Sequence, residues 1–223
     1  MNKFQLINED CEFDTVILAN GEYPQHNLPK AILRNASQVV CCDGAALQYI
    51  GKPTFIIGDG DSLPDKFKSQ YSDIIVHISE QEDNDLTKAT KYIKQHILNS
   101  PTNNNPALVG YLGATGKRED HTLANIFLLP RYKFELGIEP VMITDYGYFM
   151  VAEGDSVWQS FKGQQVSIFN LSCTRLESDG LRWNSYAYKN LWQGSLNEST
   201  GSTFSFKADG KYIVYRTIEA KSV

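Results

Sequence analysis

Six short apolar runs punctuate the first two thirds of the chain: TVILAN (residues 15–20), QVVCCD (38–43), TFIIGD (54–59), DIIVHI (73–78), ALVGYLG (107–113) and PVMITD (140–145). Each is rich in β-branched residues and almost unbroken in hydrophobicity, the pattern of a strand buried on both faces of a parallel sheet. Helical periodicity lies between them. In DLTKATKYIKQHIL (85–98), Leu86, Ala89, Ile93 and Ile97 form one stripe, and Lys88, Lys91 and Lys94 read as solvated residues turned away from it. DHTLANIFLL (120–129) offers Asp120 as an N-cap and Leu123, Ile126 and Phe127 as an inward face. Strand and helix in alternation predict an α/β fold with an open, mostly parallel sheet over residues 1–146. NSPTNNNP (99–106) reads as a polar surface loop.

Beyond residue 146 the period changes. YFMVAEG (148–154), SVWQSF (156–161), QQVSIFNLS (164–172) and STFSFKADGKYIVYRT (202–217) alternate apolar with polar residues. Such segments predict antiparallel strands with one wet face, hence a second domain over residues 147–223 built as a β-sandwich. The total of 223 residues is ample for two modest cores.

A formal charge of -5 gives no basic field for a polyphosphate backbone, so nucleic acid is not an expected partner. No run of about 18 apolar residues occurs, and the opening MNKFQLINEDCEFD is too polar for a signal peptide. No membrane span and a cytoplasmic location are therefore expected. Cys11, Cys41, Cys42 and Cys173 lack metal-ligand spacing and read as reduced structural thiols.

In open α/β sheets ligands bind at the carboxyl ends of the strands. Here Asp43 follows the second run, Asp59 and Asp61 the third, and Asp85 opens the helix after the fourth. GATGKRED, after the fifth, adds Gly113, Gly116, Lys117, Arg118 and Asp120. Taken singly, each aspartate reads as a cap or turn residue. Together they demand a counter-charge, because two carboxylates about 4 Å apart repel by roughly 4 kcal/mol at an effective dielectric of about 20. Hard oxygen ligands favour Mg²⁺, which binds through one or two carboxylates together with substrate phosphates. Gly60 would let the chain turn so that Asp59 and Asp61 converge.

Counting removes two rival readings. A calcium loop opening at Asp59 requires Gly and Glu where the chain has Pro64 and Gln70. A P-loop fails on spacing and on Arg118, which stands where Ser or Thr should bind magnesium. A phosphatase using the D-x-D pair and a nucleotide-binding regulatory module without turnover both remain open. His121 reads as a capping-turn residue, since no nucleophilic Ser or Cys motif accompanies it.

In order, CDGAA, GDGDS, EDNDLTKA and TGKREDHTLANI resemble the motifs of the thiamine pyrophosphokinase (thiamine diphosphokinase) family, and GLRWN (180–184) and GSLNE (194–198) resemble its thiamine-side segments. Departures from the family pattern are Gly60 for the usual Phe, Ala45 and Lys117 for Gly, Asn84 for Thr, and Leu196 for Ser. The resemblance implies transfer of the terminal diphosphate of ATP to the hydroxyl of thiamine, releasing AMP, by a homodimer with thiamine held between subunits. It implies Mg²⁺ on Asp59, Asp61 and Asp85, and an ATP site lined by Asp43, Gln81, Gly116, Arg118 and Asp120. Lys88 is a further candidate for phosphate contact. Arg118 would neutralise developing charge, and Asp61 or Asp120 would accept the hydroxyl proton. Ser195 and Asn197 are candidate thiamine contacts. Trp183, in a β-domain, reads either as core or as a flat surface for a thiamine ring. Gly60 in place of Phe predicts a looser loop beside the metal site.

Overall fold

The computed structural model describes residues 1–98 and 106–221; apart from Pro106, the surface loop expected at residues 99–106 lies outside them. The fold is mixed α/β, and the chain divides into two compact units. One comprises Glu9–Asp145. The other joins Met1–Asn8, with strand β1 (Asn2–Phe4), to Tyr146–Val223.

The first unit contains β2 (Thr15–Leu18), α1 (Asn27–Asn35), β3 (Val39–Cys42), β4 (Phe55–Gly58), α2 (Asp65–Gln70), β5 (Ile75–His77), α3 (Asp85–His96), β6 (Leu108–Leu112), α4 (Glu119–Phe134) and β7 (Glu139–Ile143). Its strands pair in parallel in the order β7-β6-β2-β3-β4-β5. Every residue of β2 and β3 is buried, which is why those segments tolerate no polar alternation. From β2 the chain moves outward to β3, β4 and β5, then returns to pair β6 on the opposite side of β2. The carboxyl ends of β2 and β6 therefore flank a topological switch point, where a crevice opens in sheets of this kind.

The helices correct three sequence expectations. α3 buries Leu86, Ala89 and Ile93 as its stripe predicts, but Lys88 is buried with them at 4% exposure. Acidic groups at the strand ends supply it with an electrostatic environment that helical periodicity cannot register. α4 begins at Glu119 with Arg118 as N-cap, so Asp120 lies in the first turn and is not the cap. Its inward residues are Asn125, Leu129 and Tyr132, whereas Leu123 and Phe127 are exposed. The Asn125 amide donates to the Ala114 carbonyl at 2.8 Å and accepts from the Asn84 amide at 2.9 Å. That buried polar pair fixes the rotation of the helix in place of the apolar stripe.

In the second unit β8 (Gly147–Glu153), β9 (Ser156–Gln159), β10 (Gln164–Asn170), β11 (Leu176–Asp179), β12 (Asn197–Glu198), β13 (Thr203–Ala208) and β14 (Lys211–Ala220) form antiparallel pairs. One set runs β12-β10-β14-β8. The other, β9-β13-β11, is extended by β1, which joins β9 in parallel with Phe4 opposite Trp158. This assigns the first eight residues to the second unit rather than to a continuous domain 1–146, because the Phe4 ring stacks on Trp158 at 3.8 Å between centroids. Behind Trp158, fully buried, lies Arg216, also fully buried. Its guanidinium sits about 5 Å from the Tyr148 and Trp158 rings and donates to the carbonyls of Gln159 at 2.5 Å and Gln5 at 2.8 Å.

Candidate active site

The switch point of the first unit opens into a cavity of about 640 Å³. One wall is backbone from the ends of β2 and β6. Gly21 N–H donates to Gly113 at 2.7 Å and Glu22 N–H to Thr115 at 2.8 Å, lacing the two loops together. Only glycine fits at 21, since a Cβ there would lie 2.3 Å from both the Gly113 and Thr115 oxygens. The turn that follows runs through left-handed Gly113, Gly116 and Lys117, a conformation glycine adopts freely and lysine does not. Lys117 is braced there by donating its ammonium to the Asn20 carbonyl at 3.0 Å. Asn20 and Gly21, both lining the cavity, escaped the sequence reading. The Asn-Gly at the end of the first apolar run was the available signal.

The opposite wall is the start of α3 and the segment before it. Asn84 caps the helix by accepting from Thr87 N–H at 3.0 Å, and through Asn125 it is tied to the β6 loop. Asp83 is gripped by Lys91 and Arg131, whose hydrogen bonds hold its carboxyl below the ordinary range. Both walls are therefore fixed to α4.

Of the five aspartates expected on one rim, Asp59 and Asp85 line the cavity, together with Gln81, Lys88, Gly116 and Arg118. Asp43, Asp61 and Asp120 are not part of the lining. Asp43 sits at φ 37° and is 5% exposed; one oxygen accepts from Ser62 N–H at 3.1 Å and the other is buried without a hydrogen-bond partner. Gly60, at φ 77°, does turn the chain, but the turn delivers the Asp61 N–H to the Asp59 carboxylate at 3.1 Å and leaves the Asp61 side chain exposed. A phenylalanine at Gly60 would have to enter the left-handed region at a cost of about 1–2 kcal/mol, so such a substitution would report backbone strain before any metal effect.

Charges in the cavity are coupled. Burial pushes the Asp85 carboxyl up, and Asp43 and Asp59 push it further, while Lys88 pulls it down. The Lys88 ammonium lies 3.5 Å from Asp85. Asp59 is held low, chiefly by the Asp61 N–H, with help from Lys88 and the Gln81 amide. Arg118 and Asp120 form an exposed two-point pair, 3.1 Å at Nε and 2.6 Å at Nη2, which lowers the Asp120 carboxyl. His121 also lines the cavity, exposed.

Among the described residues no three His, Cys, Asp or Glu side chains gather as a metal-ligand group. Asp59 and Asp85, both lining the cavity, and a buried, unpartnered Asp43 oxygen nonetheless fit a hard divalent ion that takes its remaining ligands from water and phosphate. The cysteines are free, with Cys41, Cys42 and Cys173 buried; burial pushes the Cys41 thiol up to about 12.

In the second unit Trp183 is 53% exposed, which removes the core reading. Arg182 covers the indole with its guanidinium 5.0 Å from the ring centroid. Asn197 is 4% exposed; its amide oxygen accepts from Trp183 N–H at 3.2 Å and its nitrogen donates to the Trp183 carbonyl at 2.8 Å. It therefore positions Trp183. Ser195 donates its hydroxyl to Trp192 at 2.8 Å, and exposed Leu196 takes φ 67°.

Fold and cavity define a mixed α/β protein whose strand-end crevice suits an anionic ligand and a hard cation, accompanied by a β unit presenting an exposed indole. The thiamin pyrophosphokinase catalytic-domain model matches residues 29–139, and the thiamin pyrophosphokinase substrate-binding-domain model matches residues 147–215. Thiamine pyrophosphokinase 1 of Oryza sativa subsp. japonica is 30% identical over 153 residues, 64% of this chain and 55% of that protein. This chain thus matches little more than half of that relative's length. Thiamin pyrophosphokinase from Candida albicans superposes with a TM-score of 0.80 at 19% identity, covering 98% of this chain and 93% of that one. The yeast enzyme gives 0.81 at 19%, covering 98% and 91%. Together the two domain models span most of the chain, which belongs to the thiamin pyrophosphokinase family.

Proposed function

We propose that the protein is a thiamine diphosphokinase, transferring the terminal diphosphate of ATP to the hydroxyl of thiamine and releasing AMP. The observation that carries this reading is the joint match of catalytic and substrate-binding domain models to successive parts of one chain. We read its finer architecture as a parallel α/β domain with a β-sandwich, the latter supported by Phe206 of β13 meeting Tyr212 of β14 edge-on at 5.4 Å.

The thiamine hydroxyl oxygen forms a bond to the β-phosphorus of ATP as the bond from that phosphorus to the α-phosphate bridging oxygen breaks. Transfers of this type depend on positioning and charge stabilisation. The glycine turn through Gly116 and the N-terminus of α4 present backbone N–H groups to phosphate. Arg118, exposed at the cavity, swings from Asp120 onto phosphate oxygens and meets charge that develops as AMP departs. Asp59 and Asp85 would hold Mg²⁺, which when bound neutralises phosphate charge. Once Arg118 has turned to phosphate Asp120 is released, so Asp120 or Asp61, exposed beside Asp59, would accept the hydroxyl proton. Gln81 and Lys88 line the ATP side, and Asp43 backs it. Trp183 offers the thiamine ring its indole and Ser195 a hydroxyl, with Asn197 holding Trp183 in place.

A homodimer in the cytoplasm is the assembly and location this reading carries. Among the described residues no helix is long and apolar enough to cross a membrane. Incubation with ATP, Mg²⁺ and thiamine is expected to release AMP only when thiamine is present. Inorganic phosphate from simple esters would instead indicate the D-x-D phosphatase, and nucleotide binding without products a regulatory module.

A further inference from the structure

Lys88 occupies a costly position. It is 4% exposed, one turn into α3, where the helix N-terminus repels a cation. An ammonium taken out of water is retained only against compensating charge. Its compensation is the acidic floor: Asp85 lies 3.5 Å away, Asp59 lines the same cavity, and both aspartates couple to Lys88. Asp43, whose second oxygen is buried and unpartnered, is coupled to Asp85 from behind. Within this coupled group of four side chains, three carboxylates against one ammonium leave two negative charges, the complement of a single divalent ion.

We propose that Lys88 is a built-in counter-cation that restrains the metal affinity of this floor and limits it to one divalent ion before nucleotide arrives, a role that rests on the metal assignment made above. A floor without Lys88 would bind a bare divalent ion so firmly that it no longer depended on phosphate ligands. With Lys88 in place, tight binding waits for the nucleotide to supply oxygens of its own. Lys88 is in this sense a positioning residue for the ion.

The test is titration of the full chain with Mn²⁺ alone, without nucleotide, by calorimetry or by the spin resonance of free Mn²⁺. Lys88→Met removes the charge and keeps the unbranched stem. It is expected to bind Mn²⁺ about tenfold tighter than the wild type or more, and to show a larger rise in melting temperature on adding Mn²⁺. Lys88→Arg, which keeps the charge, is expected to stay within about twofold of wild type. Lys88→Gln takes the place of the methionine variant should that one fail to fold, with the same expectation. Equal or weaker Mn²⁺ binding in the neutral variants overturns the proposal, as does an arginine variant that behaves like them. If neither wild type nor variants bind Mn²⁺, the metal assignment falls with it. Because turnover is not measured, absence of thiamine-dependent AMP would refute the proposed reaction while leaving this result standing.

Discussion

Asp85→Asn is expected to lower the rate of thiamine diphosphate formation by about two to three orders of magnitude while leaving the fold intact. The side chain is half-buried on the cavity wall at the first position of α3, but Asn84 supplies the cap, so the helix loses only a charge–dipole contribution of about 0.3–1 kcal/mol. The loss at the site is greater. One of the carboxylates lining the cavity disappears, and Lys88 is left with its nearest partner neutralised. Steady-state rates over a range of Mg²⁺ concentration check this. A variant within tenfold of wild type would remove Asp85 from the machinery.

Arg216→Ala is expected to destabilise the second unit by about 3–5 kcal/mol. The guanidinium fills the space between Tyr148 and Trp158 and is the donor to the Gln5 and Gln159 carbonyls, so alanine leaves both a cavity and two buried acceptors short of a partner. Opposing this, burial disfavours the Arg216 charge and lowers its pKa, and no carboxylate is among its contacts described above. Packing and carbonyl satisfaction outweigh that penalty when the replacement is as small as alanine. Thermal melting should show a drop of roughly 6–20 °C. Arg216→Met, which refills the space, should recover part of it. A shift of under about 2 °C for alanine would mean that charge burial cancels everything else the residue does.

The strands of the first unit were legible because burial on both faces writes an unbroken apolar run that little else produces; only the edge strand β5 has the run without the burial. β1 was not, since Asn2–Phe4 carries one apolar residue whose partner, Trp158, lies far along the chain. The face of α4 was misread because Asn125, a polar residue, turns inward to bond Asn84 and Ala114, while Leu123 and Phe127 face out. Periodicity assumes that the apolar side is the inner one. The same assumption sent Lys88 into solvent, when Asp85 on its own helix and Asp59 at the end of β4 supply it with charge inside.

In the site, charge was legible and geometry was not. Asp59, Asp85, Gln81, Lys88, Gly116 and Arg118 do meet in one cavity. Asp61 and Asp120 are not in its lining, Asp61 following a left-handed Gly60 and Asp120 lying in the first turn after an N-cap at Arg118, placements that depend on dihedral angles rather than residue type. Asn20 and Asn125 were passed over for want of charge, though one braces Lys117 and the other ties the two cavity walls together.

The central claim is that one diphosphate group moves intact from ATP to thiamine. The most direct measurement supplies ATP radiolabelled at the β-phosphorus, with Mg²⁺ and unlabelled thiamine, and separates the products. The label is expected in thiamine diphosphate, with AMP unlabelled and equal in amount. Label remaining in ADP would contradict it.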